Sequence, residues 1–272
     1  MYRSYYSLRE KPFTITSNPL FLFLSQRHKE ALSCLLYGIK ERMGFIAITG
    51  EVGTGKTTLC RALLNQLDEK TKTAFIFNSN LTELQLMQTV IEDLGIETKK
   101  KDRASLFSDL NRFLIEQLAQ NNNVVLIIDE AQNLTSKLLE QVRMLSNLEA
   151  DNEKLLQIIL VGQPELRDKL NTPELRQLRQ RIAVKYHIQP LNPEEITEYI
   201  FHRLTIAGVN GLAPSFEPTA IEAIYRYSKG IPRLINIVCD KALLLGYVLE
   251  KREIDAGMIQ QSITEIEGGF NQ

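Results

Sequence analysis

The residues with the clearest chemical potential occupy positions 50–57, which read Gly-Glu-Val-Gly-Thr-Gly-Lys-Thr. This spacing matches, at every fixed position, a glycine-rich loop whose backbone amides bind phosphate groups. The glycines at 50, 53 and 55 permit backbone angles that other residues disfavour and let the chain close on a ligand. Successive N–H groups can then form an anion nest, and the start of a following helix adds positive dipole. The stretch therefore predicts a polyphosphate site.

Two side chains of this phosphate loop have distinct predicted roles. Lys56 can reach the outer phosphates of a nucleotide, and the Thr57 hydroxyl can ligate Mg2+. The predicted ligand is therefore ATP together with Mg2+. We expect the nucleotide to contact nine consecutive residues: Gly50, Glu51, Val52, Gly53, Thr54, Gly55, Lys56, Thr57 and Thr58.

An acidic pair, Asp129-Glu130, follows five consecutive aliphatic residues at 124–128. Such a run is typical of a central parallel strand, and ligands of open α/β sheets sit beyond the carboxyl ends of strands. We expect Asp129 to hold Mg2+ and Glu130 to activate the attacking water as a general base. An Asp-Glu pair can also be a plain helix-entry signal, but the phosphate loop upstream favours hydrolysis.

Other polar residues end predicted strands at the same edge of the sheet. Gln163 is expected to touch the γ-phosphate or the attacking water, and Asn78 is a candidate for holding Glu130 inactive. Each also fits the ordinary role of a helix cap or turn residue. Further along, the cluster Arg176, Arg179 and Arg181 either forms a solvated helix face or reaches a phosphate on a neighbouring subunit.

The segment Gly230-Ile231-Pro232-Arg233 marks the start of a helix, because proline is favoured at the first helical position. Arg233 then lies in the first turn, where a cation opposes the helix dipole. A bound nucleotide would offset that repulsion, so Arg233 is a predicted nucleotide contact. The alternative is an exposed arginine on a surface turn.

The elements that must position these residues alternate between strands and helices as far as Leu191. This alternation predicts a doubly wound, five-stranded parallel P-loop sheet over residues 1–191, including an aromatic N-terminal segment broken by prolines. Residues 192–272 have helical periodicity throughout and predict a small all-helical lid domain. The predicted strands cover 45–49, 73–77, 124–128, 156–161 and 183–188.

Composition limits the classes of protein that this chain can be. Hydrophobic residues make up 44%, enough for a folded core. The chain has 32 Lys plus Arg residues and 33 Asp plus Glu residues, so its overall charge does not attract nucleic acid. This balance does not exclude a local basic surface. Cys34, Cys60 and Cys239 lack metal-ligand spacing and are expected to be buried thiols, while the scattered histidines are given no role. No apolar run reaches the roughly 20 residues of a membrane span. A soluble cytoplasmic polypeptide is expected.

Taken together, the phosphate loop, 124–130, Gln163, the arginine cluster and 230–233 resemble the AAA+ ATPases. A closer resemblance is to the ExeA-type ATPases of the general secretion pathway protein A family. It is carried by Tyr5–Phe13, Gly44–Thr58, Ile128–Leu134 and Gly162–Leu166, and it extends over essentially the whole chain.

The resemblance implies an ATPase module that drives assembly of a type II secretion complex with a membrane-bound partner. It also implies a homo-oligomer, a ring or a dimer, in which Arg181, or else Arg179, reaches the nucleotide of the neighbouring subunit. Family members usually continue into a membrane helix and a peptidoglycan-binding domain, so a place at the inner face of the bacterial inner membrane is expected. The alternatives are a transposition-type AAA+ regulator that assembles on DNA and a nucleotide-gated scaffold with negligible turnover.

Overall fold

The computed structural model describes residues 2–16, 18–77, 81–150, 153–208 and 213–268. Its strands are β1 (Phe45–Gly50), β2 (Thr71–Ile76), β3 (Asn123–Ile128), β4 (Glu149–Ala150), β5 (Glu153–Lys154), β6 (Gln157–Gly162), β7 (Ile182–Ile188), β8 (Ser215–Phe216) and β9 (Glu253–Ile254). Its helices are α1 (Tyr2–Tyr5), α2 (Gln26–Lys40), α3 (Lys56–Leu64), α4 (Glu83–Asp93), α5 (Arg103–Ala119), α6 (Ser136–Leu145), α7 (Pro164–Leu170), α8 (Arg176–Arg181), α9 (Pro193–Ile206), α10 (Pro218–Ser228), α11 (Pro232–Val248) and α12 (Ala256–Gly268). Short 3-10 turns lie at Pro19–Phe21, Ala131–Asn133 and Pro173–Leu175.

Five parallel strands form the main sheet, in the order β2-β3-β6-β1-β7. Every residue of β1 and β6 is buried, whereas the edge strands β2 and β7 contain exposed and half-buried positions as well as buried ones. Full burial of central strands is what helices on both faces of a parallel sheet produce. The predicted α/β fold with a five-stranded parallel sheet is confirmed.

The two faces of this sheet carry separate hydrophobic clusters, because successive strand residues point to opposite sides. On β1, for example, Phe45 and Ala47 join one cluster while Ile46 and Ile48 join the other. The first cluster is completed by α4, α5 and α6, and the second by α2 and α3.

Local capping signals fix where several helices begin. At the start of α4 the Thr82 hydroxyl accepts from the Gln85 backbone amide, and the Gln85 side chain accepts from the Thr82 backbone amide. These two bonds make a capping box. Prolines occupy the first helical position of α9, α10 and α11, as their placement in the sequence predicts.

The described chain separates into two compact units that interleave along the sequence. The sheet unit comprises residues 29–50 and 59–188, and the helical unit comprises 1–28, 51–58 and 189–272. The break after Ile188 lies three residues before the predicted boundary at Leu191. We keep the division into 1–191 and 192–272 as a prediction about domains.

The aromatic N-terminal segment packs in the helical unit rather than with the sheet, to which the sequence pattern assigned it. Tyr6 and Phe13 are buried in one cluster with residues of α9, α10, α11 and α12. The buried Arg203 of α9 stacks its guanidinium 4.6 Å from the Phe21 ring centroid and donates a hydrogen bond to the Pro12 carbonyl at 2.5 Å. Aromatic packing and this arginine thus tie the segment to α9.

Two small features were not predicted from the sequence. The N-terminal segment, expected to be irregular, contains the one-turn helix α1. Two-residue ladders, β4 with β5 and β8 with β9, join segments that carry no strand periodicity. Both kinds of element are too short to leave a periodic pattern.

Candidate functional site

The phosphate loop follows β1 directly and ends where α3 begins at Lys56. Gly53 and Gly55 have φ angles of +83° and +92°, in the region that side chains disfavour. Gly50, in contrast, is the last residue of β1, so the special angle expected there is not needed. Two of the three glycines therefore explain the shape of the loop.

The Glu51 carbonyl organises the interior of this loop. It accepts hydrogen bonds from the Thr54 amide at 3.3 Å, the Thr54 hydroxyl at 2.9 Å and the Lys56 ammonium at 2.9 Å. Lys56 is only 5% exposed. A cation buried this deeply is costly unless an anion or several acceptors surround it, which suits a polyphosphate ligand.

The helix start at Arg233 lies beside the loop within the helical unit. The Arg233 amide donates to the Gly53 carbonyl at 3.2 Å, and a Cβ built on Gly53 would stand 2.6 Å from the Arg233 Cβ. Only glycine fits this close approach. The structure thus brings Arg233 to the phosphate loop, while its side chain stays exposed.

His28, which precedes the loop in the chain, also contacts it. Its Nε2 lies 2.9 Å from the Thr54 carbonyl and its Nδ1 lies 2.8 Å from the Ser25 hydroxyl. Burial lowers the pKa of His28, an effect that the Thr54 carbonyl and the Glu195 carboxylate only partly oppose. Sequence reasoning gave this residue no role, because its partner lies 26 positions away.

In the sheet unit, the acidic pair follows β3. Asp129 is 2% exposed, and its carboxylate accepts from the Glu130 amide at 2.9 Å. The Glu130 backbone has φ 51° and ψ 37°, the left-handed region that costs a non-glycine residue about 1–2 kcal/mol. Strained backbone of this kind is often found where a side chain must be aimed.

Two glutamine amides hold the Glu130 carboxylate. Gln132 donates to Glu130 Oε2 at 2.5 Å, and Gln163 donates to the same oxygen at 2.9 Å. The side-chain oxygen of Gln132, Oε1, in turn accepts from the Gln163 backbone amide at 3.1 Å. Gln163 was predicted to touch the nucleotide or water, and here its side chain contacts the predicted base.

Gln132 is a member of this network that the sequence analysis missed. Its position two residues after Glu130, in the turn that follows β3, was the available signal. The other predicted partner of Glu130, Asn78, lies outside the described residues.

The arginine cluster lies on α8 of the sheet unit, and its side chains contact neighbours in the same chain. Arg181 donates to the Ser146 hydroxyl at 3.1 Å and to the Asn147 side chain, and Arg179 donates to Asn171 at 3.4 Å. Burial and the nearby Arg181 lower the pKa of Lys154. The Arg181 side chain is exposed, and its hydrogen bonds to Ser146 and Asn147 orient it.

The sheet topology relates the chain segments that carry these residues. Because β1, β3 and β6 are parallel neighbours, Gly50, Ile128 and Gly162 all end strands at one edge. The phosphate loop, Asp129 and Gln163 each follow one of these residues directly in the chain.

The residues present fit ATP and Mg2+ by their chemistry. A loop with two left-handed glycines and a buried ammonium suits a polyphosphate. The Thr57 hydroxyl and the Asp129 carboxylate are the oxygen ligands that Mg2+ prefers. Among the described residues, no group of three or more His, Cys, Asp or Glu side chains could hold a metal by itself.

The remaining predictions on composition concern cysteines and membranes. Cys60 and Cys239 are buried free thiols, and Cys34 is half-buried rather than buried. Over the ranges that the structure describes, no helix is both long and apolar enough to cross a bilayer.

Comparison with known proteins confirms the family resemblance. Residues 39–170 match a family model described as AAA domain. The chain is 44% identical over 269 residues to general secretion pathway protein A of Aeromonas hydrophila, covering 98% of this chain. The chain spans about half the length, 49%, of that relative.

Solved structures show the same fold at low identity. The Aeropyrum pernix ORC2 protein, in complexes with ADPNP and ADP, has a TM-score of 0.69 and 17% identity over 94% of this chain and 71% of its own. Cdc6p of Pyrobaculum aerophilum has a TM-score of 0.71 and 17% identity over 92% and 71%. The Thermotoga maritima RuvB branch migration motor has 0.59 and 17% over 89% and 69%. The chain therefore has the AAA+ fold.

Proposed function

We propose that this protein binds ATP with Mg2+ and hydrolyses it. The observation that carries the proposal is the buried Lys56 in a loop shaped by Gly53 and Gly55. The loop follows β1 in the chain, and Asp129-Glu130 follows the parallel strand β3. A phosphate-binding cation and an acidic pair are the parts that phosphoryl transfer requires.

In this proposal, each group has one role. The loop amides and the Lys56 ammonium bind the phosphates, and Thr57 with Asp129 hold Mg2+. Bound Mg2+ would neutralise charge that develops on the transferred phosphoryl group. Glu130 Oε2 accepts the proton of the attacking water, and Gln132 and Gln163 hold that oxygen in place.

Two substitutions at the site test this function. Lys56→Ala should abolish ATP binding, because the point charge on the outer phosphates is lost. Glu130→Gln should keep ATP affinity within about threefold and lower turnover at least 100-fold, in line with general-base catalysis worth 10²–10⁴. Binding is measured with a fluorescent ATP analogue and turnover by phosphate release.

Glu165→Gln is the matched control, because it neutralises an exposed carboxylate on α7. It should behave as the native protein does. Native-rate hydrolysis by Glu130→Gln would remove Glu130 as the base, and failure of the native protein to bind ATP would overturn the whole proposal.

We further propose that the ATPase acts in a type II secretion pathway with a membrane-bound partner at the inner membrane. Support comes from the 44% identity to general secretion pathway protein A across nearly all of this chain. The test is a chimera in which this chain replaces the matching half of the Aeromonas hydrophila protein, in a strain that lacks the native copy.

The chimera should restore export of a secreted protein, and the same chimera with Glu130→Gln should not. A chimera that is made at native level but leaves export defective would contradict the secretion role. Binding of this chain to duplex DNA that weakens steeply with salt would instead favour the transposition-type alternative. In that case a plot of the logarithm of the binding constant against the logarithm of salt concentration would show the release of several counterions.

A further inference from the structure

We propose that His28 is a positioning residue of the phosphate loop, which holds the peptide group between Thr54 and Gly55 with its N–H on the anion-binding side. The inference rests on the proposed function, since it assigns a residue to the site that binds the nucleotide phosphates. It is drawn from contacts that all lie within the helical unit.

The hydrogen bonds determine which nitrogen of His28 carries the proton. The Thr54 carbonyl can only accept, so the Nε2 atom 2.9 Å away must be the donor. The neutral ring then accepts at Nδ1, where the Ser25 hydroxyl lies at 2.8 Å. Burial favours the same neutral form, because it lowers the pKa of His28. Both ring nitrogens are therefore used, in one defined tautomer.

The bond to the Thr54 carbonyl orients the amide of the next residue. In a trans peptide the C=O and N–H of one unit point in opposite directions. With the Thr54 oxygen held toward His28, the Gly55 N–H points away from the ring. A flip of this peptide would replace an N–H donor by a carbonyl dipole that repels phosphate.

The position of Gly55 shows why such a flip must be prevented. Gly55 has a φ of +92°, and because it has no side chain it can adopt positive and negative φ angles about equally well. Its own conformational preference therefore does not prevent rotation of the peptide group. A Cβ on Gly55 would lie 3.4 Å from His28 Nε2, so the ring packs directly against this residue. His28 supplies the restraint that glycine itself cannot.

The helix that carries His28 does not need the imidazole for its own start. The Ser25 hydroxyl accepts a hydrogen bond from the His28 backbone amide at 3.3 Å and so caps α2. Any residue other than proline at position 28 could make this backbone bond. The ring is nevertheless 3% exposed, and burying a polar ring is unfavourable unless its atoms are paired. Its pairing with the loop is therefore the contact that accounts for a histidine here.

The test compares two amides that place a donor at different distances from the backbone. In His28→Gln the side-chain NH2 reaches the position of Nε2, whereas in His28→Asn it reaches only that of Nδ1. Lys29→Gln, at an exposed position of the same helix, is the control. ADP and ATP affinities are measured with Mg2+ by displacement of a fluorescent analogue, and KM and kcat by phosphate release.

His28→Asn should weaken both affinities and raise KM about tenfold, the effect of one lost hydrogen bond, with kcat changed less than about threefold. His28→Gln should stay within about threefold of the native affinity, and Lys29→Gln should match it. Equal affinity in His28→Asn and the native protein would overturn the inference. So would an equal loss in the Asn and Gln variants together with equally lowered melting temperatures, since that pattern indicates packing alone.

A measurement on the native protein keeps the test independent of any variant that fails to fold. Nitrogen NMR of the histidine rings should show His28 as the Nε2–H tautomer, with slow exchange of that proton. An Nδ1–H tautomer would overturn the inference. If the native protein binds neither ATP nor ADP, the proposed function fails, and the tautomer still tells whether His28 holds the loop.

Discussion

Glu130 joins a strained backbone to a carboxylate held by two amides. Its left-handed φ and its bonds to Gln132 and Gln163 fix the direction of Oε2. A base must be aimed before it can be useful, and this local network is sufficient to aim it. The strain at Glu130 makes a prediction that is separate from catalysis.

Glu130→Gly and Glu130→Ala both remove the carboxylate, but only glycine relieves the left-handed strain. We expect the glycine variant to be more stable than the alanine variant by about 1 kcal/mol in free energy of unfolding. Urea denaturation followed by circular dichroism measures the difference. An alanine variant as stable as the glycine variant would show that the backbone at this position is not strained.

Residue types and spacing predicted the phosphate loop and the acidic pair, because both motifs lie within a few consecutive residues. The same reasoning missed His28 and Gln132. His28 meets the loop through the folded chain rather than along it, and no periodicity reports such a contact. Gln163 was proposed as a site residue from its place at a strand end, and the structure adds that its side-chain amide contacts Glu130.

At the scale of elements, the turn before α11 is tightly constrained. Gly230 has φ +80°, and a Cβ there would lie 1.9 Å from the Leu191 carbonyl oxygen. The Gly230 carbonyl also accepts from the Leu191 amide at 2.9 Å. The start of α11, and with it Arg233, is therefore fixed by a backbone contact that tolerates no side chain.

Gly230→Ala should lower the free energy of unfolding by about 2 kcal/mol or more, because it adds both left-handed strain and a clash with backbone. Thermal unfolding measures the change. The control is Gly268→Ala at the end of α12, where an added Cβ meets nothing within 4 Å. Equal melting temperatures for the two variants would contradict the constraint.

Arg233 leads to a functional prediction at the same element. A contact of the Arg233 side chain with the γ-phosphate of ATP would stabilise the transition state and would be absent with ADP. Arg233→Ala should therefore lower hydrolysis about tenfold or more, while ADP affinity changes less than about threefold. Steady-state phosphate release and ADP titration measure the two quantities. Arg226→Ala removes an exposed arginine from α10 and is the control. Equal loss of ATP and ADP affinity at native turnover would point to packing instead.

Sequence patterns located all five strands of the sheet to within about two residues, because aliphatic runs and helix signals are local. Their order in the sheet, β2-β3-β6-β1-β7, is set by packing over long distances and was not predicted. The caps at Thr82 and the three helix-start prolines were also readable from sequence. The N-terminal aromatics indicated burial, but not that α9 and α11 would bury them.

At the scale of the whole molecule, the arginines of α8 raise the question of assembly. We propose that the active form is an oligomer in which Arg181 of one subunit, or else Arg179, reaches the nucleotide of the next. Support comes from the exposed Arg181 side chain and from the family resemblance. Its bonds to Ser146 and Asn147 would orient it for that role.

Two inactive variants test this arrangement when they are mixed. Glu130→Gln keeps the arginine, and Arg181→Ala keeps the base, so a mixed oligomer contains interfaces with both. Activity should return on mixing, and native specific activity should rise with protein concentration; an arginine supplied in trans is worth about 10³–10⁵ in the best-studied cases. Arg176→Ala on the same helix is the control. Full activity of Arg181→Ala, or monomers with activity independent of concentration, would exclude the arrangement.

The interleaving of the two units has a consequence for how the chain is made. Residues 1–28 are synthesised before the sheet unit, yet the helices that bury Tyr6 and Phe13 belong to 189–272 and are synthesised after it. At about 5–20 residues per second, the interval is on the order of ten seconds. During that time the sheet unit can complete its core while these aromatic side chains remain uncovered. Translation therefore leaves the aromatic residues of 1–28 without their packing partners until residues 189–272 have been synthesised.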